Sequence, residues 1–321
     1  MSQPIPSPSL IKPPALRRGD RVGIIAPASS FDRKLLDAGC AALRQMEYEP
    51  VFLENIFARE LYFAGAVERR AREFHEMFAR DDVQAILCAR GGYGANYLLP
   101  HLDLDHIRRH PKIFIGYSDL TCLLTWLLDA AGLVTFHGPM AVKDFAAENG
   151  VDEISWLAAT GGNPRWELAS HHMFGLNPLL TGRAEGVLYG GCLSILVASL
   201  GTPYEAQTEG KLLFLEDVGV KPYQIDRMLM QMKLAGKLKD VKGIVFGEMM
   251  QCTQSPDQAY TLQEVVYRIV ADLGVPVAYG MRSGHVSREN VTLPFGVRAA
   301  LTVAQETVRL EILEAAVSAR T

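Results

Sequence analysis

KIFIGYSDLTCLLTWLLDAAG, residues 112–132, passes from a short apolar run (112–117) into an apolar helical run (120–132) across only Ser118 and Asp119. A strand that turns this abruptly into a helix is the building step of a parallel α/β sheet. The alternation extends outward on both sides. Upstream lie VGIIA (22–26), a helical stretch near 32–45, PVFLE (50–54), a second helical stretch at 68–79, and VQAILCA (83–89). These apolar runs are continuous rather than alternating, as expected where helices cover both faces of a sheet. After VTFHGPM (134–140) the periodicity weakens, and a stretch with TGGNP (160–164), the His171–His172 pair and LNP (176–178) predicts a linker. A second series follows: AEGVLYG (184–190), a helix from Cys192, KLLFLE (211–216), a helix near 224–235, KGIVFGE (242–248), a helix at 262–273, and VPVAYG (275–280). The last stretch, NVTLPFGVRAALTVAQETVRLEIL (290–313), is punctuated by a turn signal at Pro294–Gly296 and reads as an antiparallel finish.

The expected architecture is therefore α/β in two domains. Residues 1–15 form a flexible Pro-rich start, 16–145 an N-terminal parallel-sheet α/β domain, 146–182 a linker, and 183–321 a C-terminal α/β domain with the antiparallel finish. Length agrees, since 321 residues exceed what one hydrophobic core usually organises. The composition is globular, 49% hydrophobic and 21% charged. Thirty-two Lys+Arg against 36 Asp+Glu leave a net charge of −4, without the cationic excess that nucleic acid or an anionic membrane demands. The five cysteines show no C-x-x-C spacing, which argues for reduced thiols rather than a zinc knuckle or a disulfide framework. The start MSQPIPSPSLIKPP has no apolar leader core, and no later run reaches the ~18 apolar residues of a membrane span. A cytoplasmic protein without nucleic-acid or membrane partners is the expectation.

The Gly116-Tyr117-Ser118-Asp119 turn looks like a nucleophile elbow, which would hold the Ser118 hydroxyl exposed with the next backbone N–H aimed at a developing oxyanion. Leu120 replaces the second glycine of G-x-S-x-G. Ser118 or Asp119 as a plain helix N-cap is the competing reading. Gly91, Gly92 and Gly94 follow another apolar run, where glycines let backbone amides approach a ligand closely. A dinucleotide loop is not completed, because Tyr97 takes the third glycine's place, and no G-K-[ST] follows. An oxyanion hole shared by the Gly92 and Asp119 amides fits better, with a tight turn lacking any ligand as the alternative. Glu216 and Asp217 end a run downstream, and either carboxylate can orient a histidine. His285 lies in a Gly-rich loop after VPVAYG. Ser118, Glu216 and His285 each follow an apolar run, where open α/β sheets place their ligand sites, and their order is that of α/β-hydrolases. In that chemistry His285 takes the Ser118 proton and Glu216 fixes the imidazole. His101, His106 and His110 sit in the charged segment HLDLDHIRRH (101–110), and neither they nor His171–His172 give a metal-ligand pattern.

Seven segments together resemble the L,D-carboxypeptidase (muramoyltetrapeptide carboxypeptidase) family of serine peptidases, which includes the microcin-immunity peptidases. They are GDRVGIIAPAS (19–29), ARGGYGANYLLP (89–100), IGYSDLT (115–121), FHGPM (136–140), GGCLSILVASLGTP (190–203), FLEDVGVKPYQIDRML (214–229) and GHVSRENVTLPFG (284–296). The resemblance implies a Ser118–Glu216–His285 triad, oxyanion donors at Gly92 and Asp119, no metal or organic cofactor, and often a homodimer. It implies removal of the terminal D-alanine from a murein tetrapeptide, in the cytoplasm, during cell-wall recycling. Arg90, Arg282, Arg288 and Tyr93 lie in or beside the candidate loops as possible substrate contacts. The alternatives are a microcin-immunity peptidase acting on aminoacyl-adenylate-like peptides and a two-domain small-molecule binding protein.

Overall fold

A computed structural model describes residues 9–168 and 173–320; the His171–His172 pair and residues 1–8 of the Pro-rich start lie outside the described residues. In chain order the elements of the first half are β1 (Arg21–Ile25), α1 (Arg33–Gln45), β2 (Glu49–Val51), α2 (Val67–Ala79), β3 (Val83–Cys88), α3 (Leu104–Arg109), β4 (Ile113–Gly116), α4 (Thr121–Trp126), β5 (Thr135–His137) and α5 (Glu153–Thr160). There follow β6 (Trp166–Leu168), β7 (Met173–Leu180), β8 (Gly182–Cys192), α6 (Leu193–Ser199), β9 (Lys211–Glu216), α7 (Pro222–Leu234), β10 (Gly243–Gly247), α8 (Leu262–Val270), β11 (Val277–Met281), β12 (Leu293–Phe295), β13 (Arg298–Val303) and β14 (Val308–Ile312).

The strands form two sheets. One has the order β12-β5-β4-β3-β1-β2 and the other β6-β14-β13-β8-β9-β10-β11-β7. Strands β1 to β5 pair in parallel, as the continuous apolar runs predict. In the second sheet β8 to β11 are parallel, whereas β7, β13, β14 and β6 pair antiparallel. The α/β class in two sheets and the antiparallel finish are as expected.

Two local expectations change. The stretch 146–182 holds α5, β6 and β7 rather than an irregular linker. Its polar, Gly- and Pro-containing sequence hides the strands because they sit at the margins of the second sheet, where burial imposes little apolar pattern. The Pro294–Gly296 punctuation is not a hairpin turn within the second sheet: Leu293–Phe295 crosses to the first sheet and pairs antiparallel with β5, Leu293 opposite His137 and Phe295 opposite Thr135. Pro294 is tolerated because β12 is an edge strand. A single hydrophobic cluster runs through both sheets, joining Ile115 and Phe136 of the first to Phe214 and Phe246 of the second and to Phe295 of the crossing strand. The segment between β11 and β12, which carries His285, is thus tethered to one sheet at each end.

Candidate active site

Ser118 follows β4 with φ 63°, a left-handed conformation rare for a residue with a Cβ and characteristic of a strained elbow. Tyr117 before it is extended, and a 3-10 turn over Ser118–Leu120 leads into α4. Neither Ser118 nor Asp119 caps the helix through its side chain. The Asp119 carboxylate turns away and accepts from the Ala95 N–H at 2.8 Å, so it holds the glycine loop instead. Burial pushes its carboxyl up to about 6. The buried Arg70 guanidinium donates to Gly94 O at 2.7 Å and to Pro27 O at 2.6 Å, fixing the same loop from the other side.

These clamps press the loop onto the elbow. A Cβ on Gly91 would lie 2.9 Å from Ser118 Cβ, 3.1 Å from Ser118 Oγ and 3.3 Å from the Asp119 nitrogen. Only a glycine allows this approach. Gly91 and Gly92 join Ser118, Tyr117, Met140, Lys143, Arg90 and His285 around a cavity of about 340 Å³.

Glu216 ends β9, fully buried, and its Oε2 accepts from His285 Nδ1 at 2.8 Å and from the His285 backbone N–H at 3.1 Å. Burial opposes its charge, but the His137 and His285 imidazoles beside it more than offset that and hold its carboxyl down to about 2. With Nδ1 committed to Glu216, Nε2 is the ring nitrogen available toward the cavity. The Tyr117 ring packs edge-on against His285 at 5.1 Å. Gly284 likewise leaves no room for a side chain: a Cβ there would meet the Glu216 carboxyl carbon at 2.7 Å.

The His285 loop is pinned from both sheets. Asn290 Nδ2 donates to Gly284 O and to Asp144 Oδ1, while Asn290 Oδ1 accepts from the Gly284 N–H. Asp144 in turn accepts from the Met140 N–H at 2.8 Å and from the Tyr117 hydroxyl at 3.4 Å. On the far side Glu248 accepts from the backbone and hydroxyl of Ser287. Ser118 and His285 therefore face one cavity, without a hydrogen bond between them.

The other sequence candidates separate. Arg90 lines the cavity. Tyr93 stands outside that lining in an exposed aromatic group with Tyr62, Phe63 and Tyr97. Arg282 is paired with Glu289 at 3.1 Å and is not part of the cavity wall, and Arg288 is exposed. Lys143, which the sequence reading does not single out, supplies the second cation of the cavity, its Nζ 5.2 Å from the centre of the Tyr117 ring. His137 and Asn290 are likewise absent from that reading; the FHGPM segment after an apolar run is the signal that points to the first. Among the described residues no three His, Cys, Asp or Glu side chains form a metal-ligand set, and no helix is long and apolar enough to cross a membrane.

Family profiles place this geometry. The LD-carboxypeptidase N-terminal domain matches residues 22–138 and the LD-carboxypeptidase C-terminal domain residues 185–301. The chain belongs to the LD-carboxypeptidase family, peptidase family S66. It is by that membership a serine-type carboxypeptidase. A probable murein peptide carboxypeptidase of Bacillus subtilis is 39% identical over 312 residues, covering 96% of this chain and 95% of the relative. The solved muramoyltetrapeptide carboxypeptidase of Oxalobacter formigenes superposes with a TM-score of 0.83 at 29% identity, covering 92% of this chain and 99% of that one. The microcin C7 self-immunity protein MccF of Escherichia coli is 27% identical, covering 88% of this chain and 90% of the relative.

Proposed function

We propose that this carboxypeptidase is an L,D-carboxypeptidase that removes the terminal D-alanine from murein tetrapeptides, using Ser118 as nucleophile, His285 as general base and acid, and Glu216 as the acid that orients His285. The observation that carries the reading is the strained Ser118 elbow facing the same cavity as a histidine whose Nδ1 is bonded to a buried carboxylate. His285 Nε2 takes the Ser118 proton as Oγ attacks the amide carbon. The Gly92 and Asp119 amides receive the oxyanion of the tetrahedral intermediate, in keeping with Gly91 lying against the elbow and Gly92 lining the same cavity. His285 returns the proton to the leaving D-alanine nitrogen, and water then hydrolyses the acyl-enzyme by the same relay. Arg90 and Lys143 give the cavity a positive wall suited to the substrate's terminal carboxylate. Five free, buried cysteines suit a reducing cytoplasm, where murein peptides would be recycled. The homodimer of the family resemblance belongs to the same proposal, and sedimentation velocity is its check.

The deciding experiment is release of D-alanine from L-alanyl-D-glutamyl-meso-diaminopimelyl-D-alanine. The wild type is expected to release it and Ser118→Ala is not. Full turnover by Ser118→Ala would remove the nucleophile assignment. The likeness to MccF supports a second reading: an enzyme that hydrolyses an aminoacyl sulfamoyl adenosine and leaves the tetrapeptide intact would be a microcin-immunity peptidase. Turnover of neither compound would remove both substrate readings.

A further inference from the structure

Behind the proposed catalytic pair, two buried polar atoms face each other with no hydrogen-bond partner among the described residues: Nε2 of His137 and Oε1 of Glu216, 3.9 Å apart. Both side chains are shielded completely from solvent. The other polar atom of each group is engaged. Oε2 of Glu216 holds His285 through two hydrogen bonds. Nδ1 of His137 lies 3.0 Å from Ser283 Oγ, and that oxygen lies 2.8 Å from the Val291 carbonyl.

Ser283 is thus a hydroxyl rotor with two acceptors in reach. When its hydrogen points to the carbonyl, His137 carries a proton on Nδ1, and a bare Nε2 would face the carboxylate in a neutral ring. When the hydrogen turns to the imidazole, the ring proton sits on Nε2 and points at Oε1. Burial favours the neutral ring. A buried carboxylate oxygen without a donor is costly, which favours the second arrangement. The Phe214 and Phe295 rings, 5.1 and 5.5 Å from His137, wall this contact with apolar surface.

We propose that His137 is a positioning residue for the reaction: as its Nε2–H tautomer it donates to Oε1 of Glu216, fixes the rotation of the carboxylate, and so keeps Oε2 on His285. Closing the gap to hydrogen-bond length takes a shift of about 1 Å. The inference rests on the Ser118–Glu216–His285 reading above and extends it one residue outward.

The test compares His137→Gln with His137→Asn. Glutamine reaches the position of ring Nε2 and can donate to Glu216, whereas asparagine reproduces only the Nδ1 side toward Ser283. Two readouts are taken: the rate of Ser118 modification by a fluorophosphonate, which needs the triad but no murein substrate, and kcat and KM for D-alanine release. The expected result is His137→Gln close to wild type and His137→Asn slowed about 10²-fold in labelling and kcat, the scale of a ~1 Å misplacement, with KM unchanged. Equal rates in the two variants, or a faster His137→Asn, would overturn the proposal. Should either variant fail to fold, long-range ¹H–¹⁵N spectra of wild-type imidazoles decide: the Nε2–H tautomer at His137 supports the proposal and Nδ1–H overturns it. Wild type that is labelled at Ser118 without releasing D-alanine removes the murein reading and leaves this comparison intact. Labelling undiminished by Ser118→Ala removes the triad and this inference with it.

Discussion

At Glu216, burial and pairing pull in opposite directions, and pairing wins. Its carboxyl titrates at about 2 in the fold against an ordinary 4.5. A carboxyl lowered by folding contributes stability that is present above its unfolded value and lost as pH falls toward its folded value. That contribution is withdrawn as pH falls from about 4.5 toward 2. Asp119 has the opposite sign. Raised by burial from 3.8 to about 6, it favours the fold below pH 3.8 and loses that contribution as pH rises through 6. Urea unfolding at stepped pH is therefore expected to show a Glu216-dependent fall below pH 4.5, absent in Glu216→Gln, and a slope of opposite sign between pH 4 and 6, absent in Asp119→Asn. Neutralising the acid of a triad can lower kcat by about 10⁴-fold, and Glu216→Gln is expected to approach that loss in D-alanine release. A Glu216→Gln enzyme of wild-type rate would show that the carboxylate's charge is idle.

The glycine loop and the elbow are two elements that act as one. Asp119 and Arg70 hold the Gly94–Ala95 backbone, and that grip keeps Gly91 in contact with Ser118. Asp119→Ala leaves the buried Ala95 N–H without its acceptor, a cost of about 1–3 kcal/mol, and frees the loop to drift from the elbow. Since removal of one oxyanion donor costs about 10²–10³ in kcat, a displaced loop is expected to cost Asp119→Ala a comparable factor, with Asp119→Asn retaining most activity through its amide oxygen. D-alanine release by the two variants checks this; similar rates would show that the clamp does not govern the proposed oxyanion hole. The elements of this grip differ in how they appear in the sequence. Ser118 and the glycines are legible because an apolar strand breaks abruptly into a helix at small residues. Glu216 and His285 are legible because they stand at the ends of apolar runs. Arg70 and Asp144 are hidden, since a charged residue on an amphipathic helix or after a short strand looks solvated until the opposing backbone is in place. His137 is hard to see because β5 is three residues long and buried throughout, so no period marks its histidine; Lys143 lies beyond that strand, exposed, and looks like any surface lysine.

Across the whole molecule, the proposed nucleophile and base belong to different stretches of chain, and β12 is what ties them. It leaves the loop that bears His285 and closes the edge of the sheet that bears Ser118. The hydrophobic cluster is continuous through that strand, so separating the sheets would expose Phe295 together with its neighbours His137 and Tyr189. Phe295→Ala removes a fully buried ring, at a cost of about 3–5 kcal/mol for such a site. If the two sheets form one cooperative unit, that loss lowers a single thermal transition, and heat capacity, near-ultraviolet circular dichroism and D-alanine release all shift by the same number of degrees. Two calorimetric transitions, with only one displaced by Phe295→Ala, would instead show that the sheets fold apart and meet afterwards. The base would then reach the nucleophile by docking, and activity would be lost at the lower transition while half of the structure persisted.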